Sequence, residues 1–134
     1  MSQENVEIVR RAVEAFNKRT LGTWLAFFDP EINHRAVEGA VDDVGEIHGT
    51  EALRRYVQDW LDTFEDFTVV AEELLDVGEN QVVAVLLNSG RAKLSGIETT
   101  LRYAVLYTLR EEKIVRGREY EDRQQALEAV GLEE

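Results

Sequence analysis

The fold is decided by residues 67–90, FTVVAEELLDVGENQVVAVLLNSG. Residues 67–76 and 81–90 are rich in Val and Leu, and a two-residue period of this kind is typical of β-strands. The short connection between them contains Gly78 and Asn80 and predicts a turn. Because strands joined by a short turn run antiparallel, this stretch predicts a β-hairpin.

The same pattern continues towards the C-terminus. Residues 98–109 and 114–120 predict two more strands, joined to their neighbours by an arm around Gly96 and by a turn at residues 110–113. Consecutive hairpins of this kind predict a curved antiparallel sheet. Residues 123–130 then predict a short C-terminal helix.

Helical periodicity dominates the chain before the hairpins. Residues 3–18 and 50–64 each carry apolar side chains at three- and four-residue spacing, and a shorter helix is predicted at residues 21–28. Residues 31–37 predict a short strand, and the glycine-containing stretch 38–49 predicts a loop. Three N-terminal helices, a meander and a C-terminal helix make an α+β fold.

This order of elements predicts one domain over residues 1–134 and a site within it. A long twisted sheet with helices on one face curls into a half-open cone. Ligand sites form where apolar walls converge with a few polar groups, so the mouth of the cone is the candidate site.

Composition narrows the classes of function. A net charge of −12 repels nucleic acid and anionic membranes, so neither is an expected partner. The absence of cysteine excludes disulfides and thiolate chemistry, and two histidines without paired acids at ligand spacing predict no metal site. With no membrane-spanning stretch, no export signal and no cofactor motif, a cytoplasmic, cofactor-free protein is expected.

Three segments resemble the SnoaL-like branch of the NTF2-like superfamily. They are ENVEIVRRAVEAFNKRTLGTWLAFFDPEI at residues 4–32, IHGTEALRRYVQDWL at residues 47–61 and EEKIVRGREYEDRQQALEAVGL at residues 111–132. The resemblance implies a cone-shaped α+β barrel, commonly a homodimer formed through the outer sheet face. The superfamily includes polyketide cyclases, ketosteroid isomerases, limonene-epoxide hydrolases, dehydratases and proteins that only bind or dimerise, so it indicates a fold rather than a reaction.

The strand at residues 81–90 independently favours a dimer, because both of its faces are apolar. The two alternating sets are Val83, Val85 and Leu87, and Val82, Ala84 and Leu86. One set lines the cone, and the other requires a cover. A second copy would provide that cover, and the alternative is the chain's own loops or C-terminal helix.

The residues that related ketosteroid isomerases use are missing. The resemblance places Ala12 at the tyrosine of helix one, Arg35 at or near the catalytic base and Val105 near the second acid. Neither alanine nor valine donates a hydrogen bond to an enolate oxygen, which argues against that isomerase chemistry.

Glu119 is the best remaining candidate for a catalytic base. Arg116 and Arg118 alternate with it on the last strand, which turns Glu119 towards the cone if the arginines face solvent. The resemblance also places Glu119 close to the aspartate that acts as acid and base in SnoaL-like cyclases. The alternative is a structural glutamate that is paired with Arg118, Arg102 or Arg35, or one on the outer face.

Two neighbouring residues compete for the cone on the first strand. His34 and Arg35 face opposite ways, so at most one of them lines the site. The resemblance favours Arg35, which suits an anionic or carbonyl-bearing ligand. His34 is the competing choice because its charge changes near neutral pH.

The remaining candidates are wall residues and hydrogen-bond donors. Tyr103 and Tyr107 share a strand face with Val105 and can each donate to a ligand oxygen, although buried aromatics also serve as core. The other expected ligand contacts are Phe16, Trp60, Leu86 and Asn88.

The sequence thus predicts a protein that binds a small, mostly apolar, oxygen-bearing ligand. If it is an enzyme, cofactor-free proton transfer of the cyclase or isomerase type is expected, with Glu119 as base and Tyr103 or Arg35 as the oxygen partner. The alternative is a non-catalytic ligand-binding or dimerisation module.

Overall fold

The computed structural model describes residues 2–40 and 44–132, which form four helices and six strands. The helices are α1 (Ser2–Asn17), α2 (Leu21–Leu25), α3 (Thr50–Thr63) and α4 (Arg123–Ala129). The strands are β1 (Phe28–Arg35), β2 (Glu46–His48), β3 (Phe64–Gly78), β4 (Gln81–Ala92), β5 (Glu98–Arg110) and β6 (Lys113–Tyr120). No helix in these ranges has the length and hydropathy needed to cross a bilayer.

All six strands belong to one curved, open sheet in the order β2-β1-β6-β5-β4-β3. The meander from β3 to β6 is antiparallel throughout, as the hairpin turns predict. The prediction of an antiparallel sheet does not hold for β1, which runs parallel to β6. That pair joins two distant parts of the chain, and only short turns impose antiparallel pairing.

Two boundaries near the N-terminus also differ from the prediction. The second helix is a single turn, Leu21–Leu25, so the helical layer consists mainly of α1 and α3. Strand β1 begins at Phe28 and includes Pro30, which lies where the β1–β6 register is irregular and no ladder N–H is required. The three-residue strand β2 lies within the predicted loop, between two glycines.

Helices α1 and α3 pack on the concave face of the sheet and form the larger core with it. Helix α1 contacts β3 and β4, and α3 contacts β1, β2 and β3. The helical period brings Val9 and Phe16 of α1 and Leu53 of α3 into this core, against Ile32 and Ala84 of the sheet. The helices cover only part of this concave face, so a hollow remains between them and the curved sheet.

The convex face has a smaller core of its own, formed with α4. Val83 and Ala104 of the sheet pack there against Ala126 and Leu127 of α4, and all four are buried. Asp122 caps this helix by accepting a hydrogen bond from the backbone N–H of Gln125 at 2.9 Å. The C-terminal helix therefore covers part of the apolar outer face for which a second copy was one predicted cover.

Candidate functional site

A cavity lies between the concave face of the sheet and helices α1 and α3. The space between its walls, counted out into the solvent at its mouth, is about 780 Å³. Its walls are mainly apolar and aromatic. The predicted site residues that line it are Phe16, His34, Trp60, Leu86, Asn88, Tyr103, Val105, Tyr107 and Glu119. The structure thus brings together every candidate except Arg35.

The strand register explains why the polar candidates share this cavity. Tyr103, Val105 and Tyr107 alternate along β5 and face inwards, and Glu119 of β6 lies directly opposite Val105. On the other side of β5, Asn88 of β4 lies opposite Leu101. Polar groups from three adjacent strands therefore reach the same concave surface.

His34 and Glu119 form a hydrogen-bonded pair in the cavity wall. His34 Nε2 lies 2.8 Å from Glu119 Oε2, and their side chains are only 8% and 14% exposed. The parallel β1–β6 pairing creates this contact by placing His34 opposite Gly117, two residues before the glutamate. The arginines considered as alternative partners are engaged elsewhere, since Arg102 pairs with Glu72 and Arg118 with Glu38.

The preference for Arg35 over His34 is wrong as a matter of geometry. Arg35 is absent from the cavity wall and lines a separate, smaller pocket with Arg116 and Arg118. Neighbouring residues of a strand point to opposite faces, and the register with β6 gives the inward position to His34. Arg35 therefore cannot serve as the oxygen partner of a ligand in this cavity.

Gly117 makes room for the imidazole ring. A Cβ atom at this position would lie 2.5 Å from His34 Nδ1 and 3.3 Å from Tyr107 Cε1. Nδ1 is buried and has no hydrogen-bond partner among the residues that the structure describes. A proton on Nδ1 would thus be a stranded donor, so this geometry favours a neutral imidazole that donates its Nε2–H to the Glu119 carboxylate.

Two tyrosines provide neutral hydrogen-bond donors on the same surface. The Tyr103 hydroxyl donates to Asn88 Oδ1 at 3.3 Å. Burial raises the pKa of Tyr103 well above its ordinary value, and the negative charge of Glu119 raises it further. Burial and then Glu119 also raise the pKa of Tyr107. Both hydroxyls therefore stay protonated at neutral pH.

Sequence reasoning missed Tyr56 as a site residue. It extends from α3 into the cavity wall, with its ring centroid 6.2 Å from that of His34. The signal was present, because Tyr56 lies one helical turn before Trp60 on the same predicted apolar face. Trp24 of α2 and Leu101 of β5 also line the cavity without having been predicted to do so.

The second histidine lies outside the cavity. His48 is exposed on β2, where Nδ1 contacts Asn33 Oδ1 at 2.7 Å and Nε2 contacts Glu31 Oε1 at 2.9 Å. Across residues 2–40 and 44–132, no three His, Cys, Asp or Glu side chains are grouped so as to hold a metal ion.

Comparison with known proteins identifies a family whose sequence pattern this chain matches. Residues 9–117 match the family model described as the SnoaL-like domain. A search of the curated proteins found no significant match.

Three solved structures share the fold at low sequence identity. Bal32a, from a soil-derived mobile gene cassette, is 21% identical, with a TM-score of 0.79 and coverage of 89% of each chain. An NTF2-like protein of unknown function from Burkholderia pseudomallei K96243 is 19% identical, with a TM-score of 0.77 and coverage of 98% of this chain and 99% of that one. RV0760c from Mycobacterium tuberculosis, in complex with estradiol-17beta-hemisuccinate, is 16% identical, with a TM-score of 0.75 and coverage of 87% and 92%.

Proposed function

The chain belongs to the SnoaL-like domain family, in the NTF2-like branch, and on that premise we propose that it binds a small, mostly apolar, oxygen-bearing ligand and moves a proton on it without a cofactor. The observation that carries this proposal is the His34–Glu119 pair, joined at 2.8 Å and largely buried in the wall of the cavity. A positioned base within an apolar hollow is what proton abstraction requires.

The walls of the cavity support the binding part of the proposal. Phe16, Trp24 and Phe67 pack edge to face in its wall, and Trp60 extends this cluster through Phe67. Such surfaces favour a ligand with a large apolar body. The bound molecule in the M. tuberculosis relative, estradiol-17beta-hemisuccinate, has a large apolar steroid body of this kind and also carries a carboxylate on its succinate arm.

The polar groups support the chemical part. Glu119 would take a proton from a carbon next to a carbonyl group, and the electron pair of the broken C–H bond would move onto the carbonyl oxygen. His34 would orient the carboxylate through its Nε2–H. Tyr103, whose 3.3 Å hydrogen bond to Asn88 is long enough to be exchanged, is the proposed donor to that oxygen.

Solvent deuterium exchange on 2-tetralone tests the proposal without knowledge of the natural substrate. The wild-type protein should accelerate exchange of the ketone's α-hydrogens in D₂O, followed by NMR. Glu119→Gln should lose about 10²- to 10⁴-fold of that acceleration, the usual contribution of a general base, while calorimetry shows retained binding.

The matched control is Glu98→Gln, which removes an exposed carboxylate outside the cavity wall and should exchange like the wild type. Equal acceleration by the wild type and Glu119→Gln would remove Glu119 from the mechanism.

A non-catalytic binding module is the second candidate, and two buried positions favour it. Ala12 and Val105, where the resemblance places isomerase residues that contact the enolate oxygen, are apolar and 3% and 1% exposed. Binding of 2-tetralone by the wild type without any acceleration of exchange would establish this alternative.

We also propose a homodimer formed through the part of the outer sheet face that α4 leaves open. The support is modest apolar exposure there, since Val70 is 50% exposed and Leu87 of the adjacent strand is half-buried. Sedimentation at micromolar concentration tests this, and a strictly monomeric species would contradict it.

A further inference from the structure

The charge of the cavity wall is one-sided. The chain has 15 lysines and arginines, yet none of them is among the described residues that line the cavity. Within the described part of the chain, Glu119 is the one carboxylate in this wall, and His34 is the one basic side chain. A charged ligand in the cavity would therefore interact electrostatically mainly with this pair.

The geometry of His34 leaves the charge of Glu119 uncompensated. An imidazolium needs acceptors for both of its N–H groups, but Nδ1 is buried against Gly117, and none of the residues at described positions accepts from it. The neutral tautomer with its proton on Nε2 avoids a stranded donor and still bonds to the carboxylate. The pair then carries one net negative charge, in a wall whose apolar residues screen it poorly.

The remaining hydrogen-bonding groups of the cavity are neutral. The Asn88 side-chain nitrogen and the Tyr107 hydroxyl have no hydrogen bond to any of the described residues, while Tyr103 donates to Asn88. These groups can donate to a carbonyl oxygen. None of them supplies the positive charge that the binding of a carboxylate beside Glu119 would need.

From this arrangement we infer that the cavity selects uncharged carbonyl compounds over carboxylates of the same shape, and that Glu119 is the residue that discriminates between them. The inference rests on the proposed function, because it concerns the ligand of the same cavity. A bound carboxylate would lie within a few ångströms of a like charge in a poorly screened wall. A ketone of the same size keeps the apolar contacts and meets only neutral donors.

The test uses 1-adamantyl methyl ketone and 1-adamantanecarboxylate, which share a bulky apolar body and differ in charge. Both tryptophans of the chain, Trp24 and Trp60, line the cavity, so their fluorescence reports on binding, with a correction for the weak absorption of the ketone near 280 nm. The measured quantity is the ratio of the affinity for the ketone to the affinity for the carboxylate.

Removal of the charge should lower this ratio. The desolvation of the carboxylate is common to all variants, so the change in the ratio isolates the effect of position 119. Glu119→Gln should lower the ratio by about tenfold or more, mainly through tighter binding of the carboxylate. Glu119→Asp, which keeps the charge, should retain most of the wild-type ratio, and Glu98→Gln should retain all of it although it changes the net charge by the same amount.

Each outcome decides between the two claims. Equal affinity of the wild type for both probes, or an unchanged ratio in Glu119→Gln, would overturn the inference and leave the proposed binding function intact. A failure of the wild type to bind either probe would overturn both. A ratio that falls equally in Glu98→Gln would show that net charge, and not Glu119, discriminates.

Discussion

Polar residues on the two faces of the sheet differ in solvent exposure and in how fully their hydrogen bonds are satisfied. On the convex side, arginines pair with neighbouring glutamates in water, as Arg102 does with Glu72 and Arg123 with Glu73. On the concave side, polar groups are removed from water and leave hydrogen-bonding capacity directed at a hollow, as in Tyr107 and Asn88. Polar residues whose hydrogen bonds are satisfied within the chain or by water are typical of an ordinary surface. Buried polar residues with unused hydrogen-bonding groups indicate a binding site.

The apolar residues show the same contrast. The convex cluster around Val83 is closed by α4, whereas the concave aromatic cluster around Phe16 and Trp24 remains open to the cavity. Four substitutions or conditions break or sharpen this contrast, and they follow from the largest expected effect to the smallest.

Leu127→Ala should open the convex face. The side chain is 6% exposed and packs α4 onto the sheet, so its loss should lower the free energy of unfolding by about 2–4 kcal/mol, the usual result for a buried leucine. Urea denaturation measures this. Leu132→Ala, at a residue that is 42% exposed, is the control and should have a much smaller effect. A similar loss in both variants would show that α4 is not held by the convex cluster.

Gly117→Ala should disturb the concave face. The new Cβ would meet His34 Nδ1 at 2.5 Å, so overpacking should cost about 1–3 kcal/mol and push the imidazole away from Glu119. Unfolding in urea gives the cost, and the His34 ring resonances in NMR report the displacement.

Gly22→Ala is the matched control for that substitution. No atom lies within 4 Å of a Cβ at this position in α2, so the change should be neutral or stabilising by up to about 1 kcal/mol. Unperturbed His34 resonances in Gly117→Ala would contradict the role given to the glycine.

Alkaline pH should weaken the concave face through its tyrosines. Burial raises the pKa of Tyr103 and Tyr107, so both stay protonated in the folded chain at a pH where the unfolded chain ionises them. The stabilisation is fully present below the unfolded pKa of about 10. Above it, each tyrosine lowers the free energy of unfolding by up to about 1.4 kcal/mol per pH unit. Denaturation at pH 9 and pH 11 should show a smaller decline in Tyr107→Phe than in the wild type, and an equal decline would contradict the assignment.

Loss of the exposed Glu72–Arg102 pair on the convex side should have the smallest effect. The hydrogen bond from Arg102 lowers the pKa of Glu72, so its contribution is present above the unfolded pKa and is lost as the pH falls through the acid range. Solvent screens the pair, and Glu72→Gln should scarcely change the unfolding midpoint at neutral pH. A clear loss that is insensitive to added salt would contradict this view of the convex face.

Local patterns were sufficient to predict most of the fold. The periods of α1 and α3 and the turns between β3, β4, β5 and β6 are properties of short stretches, and the observed bounds differ from the predicted ones by a few residues. The parallel β1–β6 pairing has no such local signal. Which strand lies beside β1 depends on the arrangement of the rest of the chain, and not on residues within β1 or β6. From the sequence alone, Pro30 predicts the end of the second helix, whereas in the structure it lies at an irregular position within β1. The local sequence does not distinguish these two positions.

The site shows where local reasoning ends. Alternation along a strand limited the inward residue of β1 to His34 or Arg35, but the choice between them depends on the register with β6. That register also brings His34 to Glu119, a contact between residues far apart in the chain. Composition and spacing identified both residues separately, and they contain no signal for the pair.

The parallel strand pair also predicts when the site forms during synthesis. A ribosome releases β1 long before β6, so the edge that later carries His34 must wait while the meander forms, and its partner arrives only with the last strand. Contacts between such distant residues form slowly, because much of the chain must be ordered first. We therefore expect the helices and the β3–β4 hairpin to assemble early and the histidine–glutamate pair to be among the last features to form.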